Sequence, residues 1–223
     1  MQKFRVNRWH RLRLQLLRRS ELSFAGMTLS DFEARLSGEG VVVFTGSRFL
    51  LDDDAKKVVR LGAGLARRMP RLRFRVGAAH GANEAFCAGV SLVDCGRLEV
   101  IFGLPRFRRD HMPLEGEAFA VETVLRGEGA SGGVPELPLS PKYLRMAMDF
   151  TGRQQVSGRP KTRVLPREGI QVAGAPKVPA AGVVLAWVTR GQAEDVATRN
   201  LHTVSVATGV PFLAQDRWEG WIL

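Results

Sequence analysis

The chain has 223 residues, 45% of them hydrophobic, and a formal net charge of +11 from 33 Lys and Arg against 22 Asp and Glu. A chain of this length and composition buries a sizeable core. It has no apolar run long enough to predict a membrane span, and its charged N-terminus excludes a signal-peptide core.

With only Cys87 and Cys95 present, a disulfide framework is out, and a cytoplasmic chain with reduced thiols is the expectation. Most of the basic residues are Arg, whose planar fork matches phosphate oxygens, so a polyanionic partner is one reading of the charge. A merely Arg-rich surface is the other.

Residues 1–27 read as a basic extension, and no acidic residue occurs in 1–20. There Phe4, Trp9, Leu12, Leu16 and Leu17 recur at rough helical spacing, which predicts an amphipathic helix. Three surfaces suit it: the protein's own core, nucleic acid or an anionic membrane. Residues 28–223 read as one Rossmann-like domain interrupted by an irregular 103–181 insertion.

In chain order, "TLSDFEARLSGEG" predicts a short helix, with Ser30 and Glu33 as an S-x-x-E capping box. "VVVFT" (41–45) is a β-branched apolar run, the mark of a strand buried on both faces. A helix follows from Asp52, Asp53 and Asp54, which suit its positive end, to Pro70. "LRFRV" (72–76) is a second strand, "ANEAFCAGV" a helix from about Ala82, and "LEVIF" (98–102) a third strand. This alternation predicts an α/β fold with an open, mostly parallel sheet and helices on both faces.

Further on, "EGEAFAVETVLRG" predicts a helix, "GASGGVPELPLSP" (129–141) a Gly- and Pro-rich linker or lid, and "PKYLRMAMDF" another helix. "RQQVSGRPKTRVLPREG" reads as a basic stretch broken by Pro160 and Pro166. "GVVLAWV" (182–188) is a buried strand, followed by a helix ending near Gly209 and a last strand in "VPFLA".

Two strands therefore end in small-residue loops. The first loop carries Gly46, Ser47 and Arg48; the second carries Gly77, Ala78, Ala79, His80 and Gly81. In open parallel sheets ligands bind beyond the carboxyl ends of the strands. Small residues let backbone N–H groups approach an anion, and a helix starting after the loop adds its own free amides.

Ser47 supplies a hydroxyl and Arg48 a cation for phosphate. His80 suits a base or phosphate contact, or a helix cap. Glu84 suits a ribose hydroxyl, or simply the first turn of its helix. Glycines that only make tight turns are the plainer explanation of both loops. Neither G-x-G-x-x-G nor the P-loop pattern is present, no His or Cys pair has metal-ligand spacing, and no cofactor is implied.

"FTGSR" followed by "GAAHGANEAFCAGV" resembles the SMF/DprA–LOG superfamily of Rossmann-like domains. "EVIFGLP", "PREGIQVAG", "AAGVVLAWV" and "GVPF" extend the resemblance over roughly 41–213, toward DNA-processing protein A-like sequences. It implies a nucleotide- or nucleic-acid-binding domain, with a role in DNA recombination and a possible homodimer. It also implies a pocket of Gly46, Ser47, Arg48, Gly77, Ala78, His80, Gly81, Asn83 and Glu84.

There are departures. Asn83 stands where the family has aspartate, and the later G-G-T loop is reduced to Gly191. The P-G-G-x-G-T-x-x-E motif of the lonely-guy phosphoribohydrolases is absent. A binding protein without catalysis is thus expected, its partner single-stranded nucleic acid. A small-nucleotide sensor or processing enzyme is the alternative, and a scaffold with a decayed pocket is a third. For a strand, Arg106, Arg108, Arg109, Arg163 and Arg167 would extend the pocket, and Phe107 or Tyr143 would stack bases.

Overall fold

The computed structural model describes residues 27–36, 39–102, 117–120, 164–175, 178–188 and 196–221. The basic extension through residue 26, Arg106, Phe107, Arg108, Arg109, Tyr143, Arg163 and Gly191 lie outside the described residues. So do the linker and the helix expected over 129–150.

Six strands form one sheet: β1 (Glu39–Gly46), β2 (Arg71–Gly77), β3 (Leu98–Phe102), β4 (Glu117–Ala120), β5 (Val183–Trp187) and β6 (Phe212–Ala214). Their order is β4-β3-β2-β1-β5-β6, and every neighbouring pair is parallel. The helices are α1 (Leu29–Arg35), α2 (Asp52–Arg68), α3 (Ala82–Ser91), α4 (Val164–Ala173), α5 (Val196–Thr208) and α6 (Gln215–Trp218). This is an open Rossmann-like α/β fold. Among the described residues no helix is long and apolar enough to cross a membrane.

The alternation of side chains along each strand explains the two layers. Val42 and Phe44 of β1, Phe74 and Val76 of β2, and Leu185 and Trp187 of β5 share one core with Leu61 and Leu65 of α2 and Phe86 of α3. The rings of Phe44 and Phe86 stack at 4.2 Å between centroids. Each such buried Phe contributes about 1.5–3 kcal/mol of burial. On the other face, Val43 and Val184 pack with Val172 of α4 and with Leu201 and Val204 of α5. The sheet is thus covered on both sides, as an all-parallel sheet requires.

Three local expectations are corrected. Thr28, not Ser30, caps α1: its hydroxyl accepts the Asp31 N–H at 3.2 Å, and the Asp31 carboxylate accepts the Thr28 N–H at 2.9 Å. The Thr28 hydroxyl and amide together hold that carboxyl below the usual carboxylate range. Glu33 instead pairs with Arg68 at 2.7 Å.

The segment read as a helix around 115–127 contains β4, which pairs with β3 from Glu99↔Glu117 to Phe102↔Ala120. Pairing with a sheet edge outweighs the local helical preference of "EGEAFAVE". Finally, the stretch read as broken at Pro166 forms α4. Pro166 lies in its first turn, where the missing N–H forfeits no helical bond.

Candidate functional site

Strand order reverses at β1. The connections through α2 and α3 run outward from β1 to β3, whereas β5 lies on β1's opposite side, with α4 and α5 on the other face. The carboxyl ends of β1 and β5 therefore flank the topological switch point, where open α/β sheets bind ligands. The loop after β1 lies at this point, and the loop after β2 packs against it.

The two glycine loops interlock. The Ala82 N–H donates to the Ser47 carbonyl at 3.0 Å. Gly81 has φ +77°, and a Cβ there would lie 2.3 Å from the Arg48 carbonyl oxygen and 2.5 Å from that of Ser47. Glycine is needed here on both conformational and spatial grounds. At Gly46 a Cβ would fall 2.2 Å from the Trp187 carbonyl oxygen and 2.7 Å from the Ala82 Cβ. These glycines let loop pack on loop and β1 on β5.

Several amides of the loops are spent on the protein itself. Ser47 donates its N–H to the Trp187 carbonyl at 2.8 Å, Ala78 to Ile101 at 3.3 Å and Ala79 to Gly77 at 2.8 Å. The first-turn amides of α3 remain. Gly81 is its N-cap and offers no side-chain cap. The amides of Asn83 and Glu84 have no acceptor among the described residues, as expected for a helix start.

The start of α2 is different: Asp52, Asp53 and Asp54 fill its first turn. Of the two helices that follow the glycine loops, α3 carries one acidic residue in its first turn, Glu84, against three in α2.

Arg48 is exposed at the rim. His80 is half exposed, its Nδ1 3.4 Å from Glu84 Oε2. Asn83 is buried and pins the second loop, donating Nδ2–H to the Gly77 carbonyl at 2.8 Å, while its Oδ1 has no partner among the described residues.

Arg167 on α4 is brought to the same place. A Cβ on Gly77 would sit 2.6 Å from Gln171 Nε2 and 3.6 Å from Arg167 Cζ. Arg167 Nε donates to Glu168 Oε1 at 3.1 Å. Gln171 is 1% exposed, and neither atom of its amide has a partner among the described residues. Burying an unsatisfied amide costs about 1–3 kcal/mol per group. Asn83, Gln171 and Arg167 thus converge on the end of β2.

Sequence reasoning missed a buried ionic network beneath this cluster. Arg75 and Glu99 face each other in register across β2 and β3. Arg75 Nε donates to Glu99 Oε2 at 2.6 Å, Arg73 Nε lies 2.9 Å from Glu99 Oε1, and Arg75 Nη1 donates to the Gln171 carbonyl at 2.9 Å. Burial lowers the Arg75 pKa from its ordinary value, and the Glu99 charge opposes that shift. Arg75 thereby also supplies a cation to the carbonyl end of α4. The signal was Arg73 and Arg75 alternating with Leu72, Phe74 and Val76.

No protein-family model and no curated protein match the chain. Among solved structures it is similar to DNA processing protein A from Helicobacter pylori, described for its single-stranded DNA binding mode. The TM-score is 0.48 and the identity 10%, over 81% of this chain and 67% of that one. A likeness at this level transfers no function.

Proposed function

We propose that the chain binds single-stranded nucleic acid without chemistry, holding a backbone phosphate where the two glycine loops meet. One observation carries this reading: the exposed Arg48 and the acceptor-free amides of Asn83 and Glu84 are joined in one unit by the Ser47–Ala82 bond. A cation beside open helix-start amides is a phosphate-binding arrangement.

Gly46, Ser47, Gly77, Ala78 and Gly81 form the walls, and His80 and Arg167 flank them. Arg106, Arg108, Arg109 and Arg163, outside the described residues, are the further contacts we propose for the strand. The net charge of +11 favours such a partner.

Fluorescence anisotropy of an oligodeoxythymidine tests this. Binding is expected at low salt, with log K falling linearly as log salt rises. Absence of binding at low salt eliminates the proposal.

A second reading, a small nucleotide as ligand, draws on Gln171. Its amide is a buried donor–acceptor pair with neither atom partnered among the described residues, beside Gly77, and an amide of this kind matches a base edge. Thermal shift against a panel of nucleotides tests it; no shift with any of them removes it.

A further inference from the structure

A groove of about 410 Å³ lies beside the C-terminal half of α2, bounded by Leu29 of α1, Leu92 at the C-cap of α3, and Trp221. α2 leaves the carboxyl end of β1 and delivers the chain to the amino end of β2. The groove therefore lies at the opposite end of the sheet from the two glycine loops.

Its floor is apolar and its rim is cationic. Leu92 is 70% exposed. Trp221 is held by its Nε1–H donation to the Met27 carbonyl at 2.9 Å and by ring contact with Phe32 at 4.6 Å between centroids. Arg60, Arg67 and Arg68 line the groove, and among the described residues no acidic side chain does. Glu33 matches Arg68 at 2.7 Å, whereas Arg60 and Arg67 have no acidic partner among the described residues. Nor do they cap α2: Arg97 donates to the Met69 and Ala66 carbonyls, each at 2.8 Å.

Gly64 stands one turn after Arg60 and one turn before Arg67 and Arg68, on the same stripe of α2. A glycine inside a helix is destabilising relative to alanine. At Gly62 and Gly89 the close packing of α2 on α3 explains it. A Cβ there would lie 2.6 Å from the Phe86 carbonyl oxygen and 2.1 Å from that of Val59. At Gly64 a Cβ would meet nothing within 4 Å. No packing contact requires this glycine, and its bare backbone leaves the groove open to close approach from outside.

We infer that this groove docks an acidic amphipathic helix of a partner protein, its apolar side chains on Leu92 and Trp221 and its carboxylates on Arg60 and Arg67. Charge complementarity selects the occupant: cations around an apolar floor fit carboxylates that flank apolar side chains. The chain's own basic extension has no acidic residue in positions 1–20 and is repelled by this rim. Arg60 and Arg67 are two turns apart, about 11 Å along α2. A helix with carboxylates two turns apart and leucines between them matches that spacing. This goes beyond the proposed function and is independent of the phosphate site.

The test uses the full-length protein and three fluorescein-labelled peptides of equal length. One is helical, with Glu at i and i+7 and Leu at i+3 and i+4. The second has Lys in place of Glu, and the third is polyglutamate. Anisotropy is expected to show the Glu–Leu peptide binding most tightly, and the Lys–Leu peptide not at all. The double variant Arg60→Glu, Arg67→Glu is expected to weaken the Glu–Leu peptide about tenfold, and Leu92→Ser about fivefold. Leu92→Ser should leave polyglutamate unchanged. Gly64→Gln is expected to raise the urea midpoint and yet weaken the peptide, which separates docking from stability.

No binding of the Glu–Leu peptide overturns the inference, and so does equal binding of the Lys–Leu peptide. Displacement of the bound peptide by oligodeoxythymidine would make the groove a nucleic-acid surface. A changed sedimentation coefficient in the Arg60→Glu, Arg67→Glu variant would make it an interface between copies. Tighter peptide binding in a Leu12→Ser, Leu16→Ser variant would make the chain's own extension its occupant. Each of these outcomes overturns the inference as well.

Discussion

The backbone N–H of Ala82 donates to the carbonyl of Ser47 at 3.0 Å, tying the loop after β1 to the first residue of α3. Residues that sequence alone leaves as two separate glycine turns thereby become one surface. The same bond occupies the Ala82 amide within the protein.

Gly81 is where this interlock is most easily broken. Alanine there meets the Arg48 carbonyl at 2.3 Å and must adopt φ +77°, whereas Gly209, with φ +75°, has nothing within 4 Å of its Cβ position. Gly81→Ala is expected to lower stability by about 1–3 kcal/mol and to weaken ligand binding. Gly209→Ala should cost less and leave binding intact. Urea denaturation of both variants checks this; equal losses would mean the loops are not locked together.

Asn83 holds the second loop through its side-chain amide. Its Nδ2–H meets the Gly77 carbonyl, and an ionised aspartate would oppose one acceptor with another. Asn83→Asp is expected to cost about 1–3 kcal/mol at neutral pH, with part of the loss recovered in acid, where the carboxyl is protonated and donates. Stability measured across pH decides; an unchanged value at neutral pH would mean the bond contributes nothing.

The Arg75–Glu99 pair is fully buried. Glu99→Gln leaves Arg75 without its counter-charge and is expected to cost about 3–5 kcal/mol. The double variant Arg75→Met, Glu99→Leu should recover most of that loss, because an apolar pair needs no desolvation of charge. Guanidinium unfolding of the single and double variants measures the difference. A double variant no better than the single would locate the pair's value in the contacts to α4.

Burial pushes the Cys87 thiol up to about 12, while Cys95 is partly exposed. A thiol-alkylating reagent is expected to label Cys95 and spare Cys87 in the native protein at neutral pH. In the unfolded chain Cys87 ionises near its ordinary value of about 9, so the unfolded state releases that proton first. Stability from this group should fall as pH rises from about 9 to about 12. Peptide mass mapping and alkaline denaturation read the two effects.

The inner strands were legible in the sequence because Val41–Thr45, Val183–Trp187 and their neighbours are apolar runs closed by small residues, and such runs fit a doubly covered sheet. β4 was not: nothing in "EAFA" distinguishes strand from helix until β3 lies beside it. α4 was hidden by counting Pro166 as a break, when a first-turn proline breaks nothing. Two overlapping cap patterns, Thr28–Asp31 and Ser30–Glu33, compete within one segment, and only the backbone conformation at Thr28 chooses between them.

At the site, the glycines and Arg48 were legible as types of residue. Which amides stay open was not, because the Ser47–Trp187 bond depends on β5, far along the chain. Gln171 and Arg167 could be joined to Gly77 only through the packing of α4 on β2.

Amide chemical shifts of the labelled protein, followed during titration with oligodeoxythymidine, test the phosphate site most directly. Large changes are expected at Gly81, Asn83 and Glu84, with smaller ones at Ser47 and Ala82, whose N–H groups are already bonded within the protein. Binding that leaves Asn83 and Glu84 unmoved while shifting residues away from the switch point would contradict a phosphate held at the start of α3.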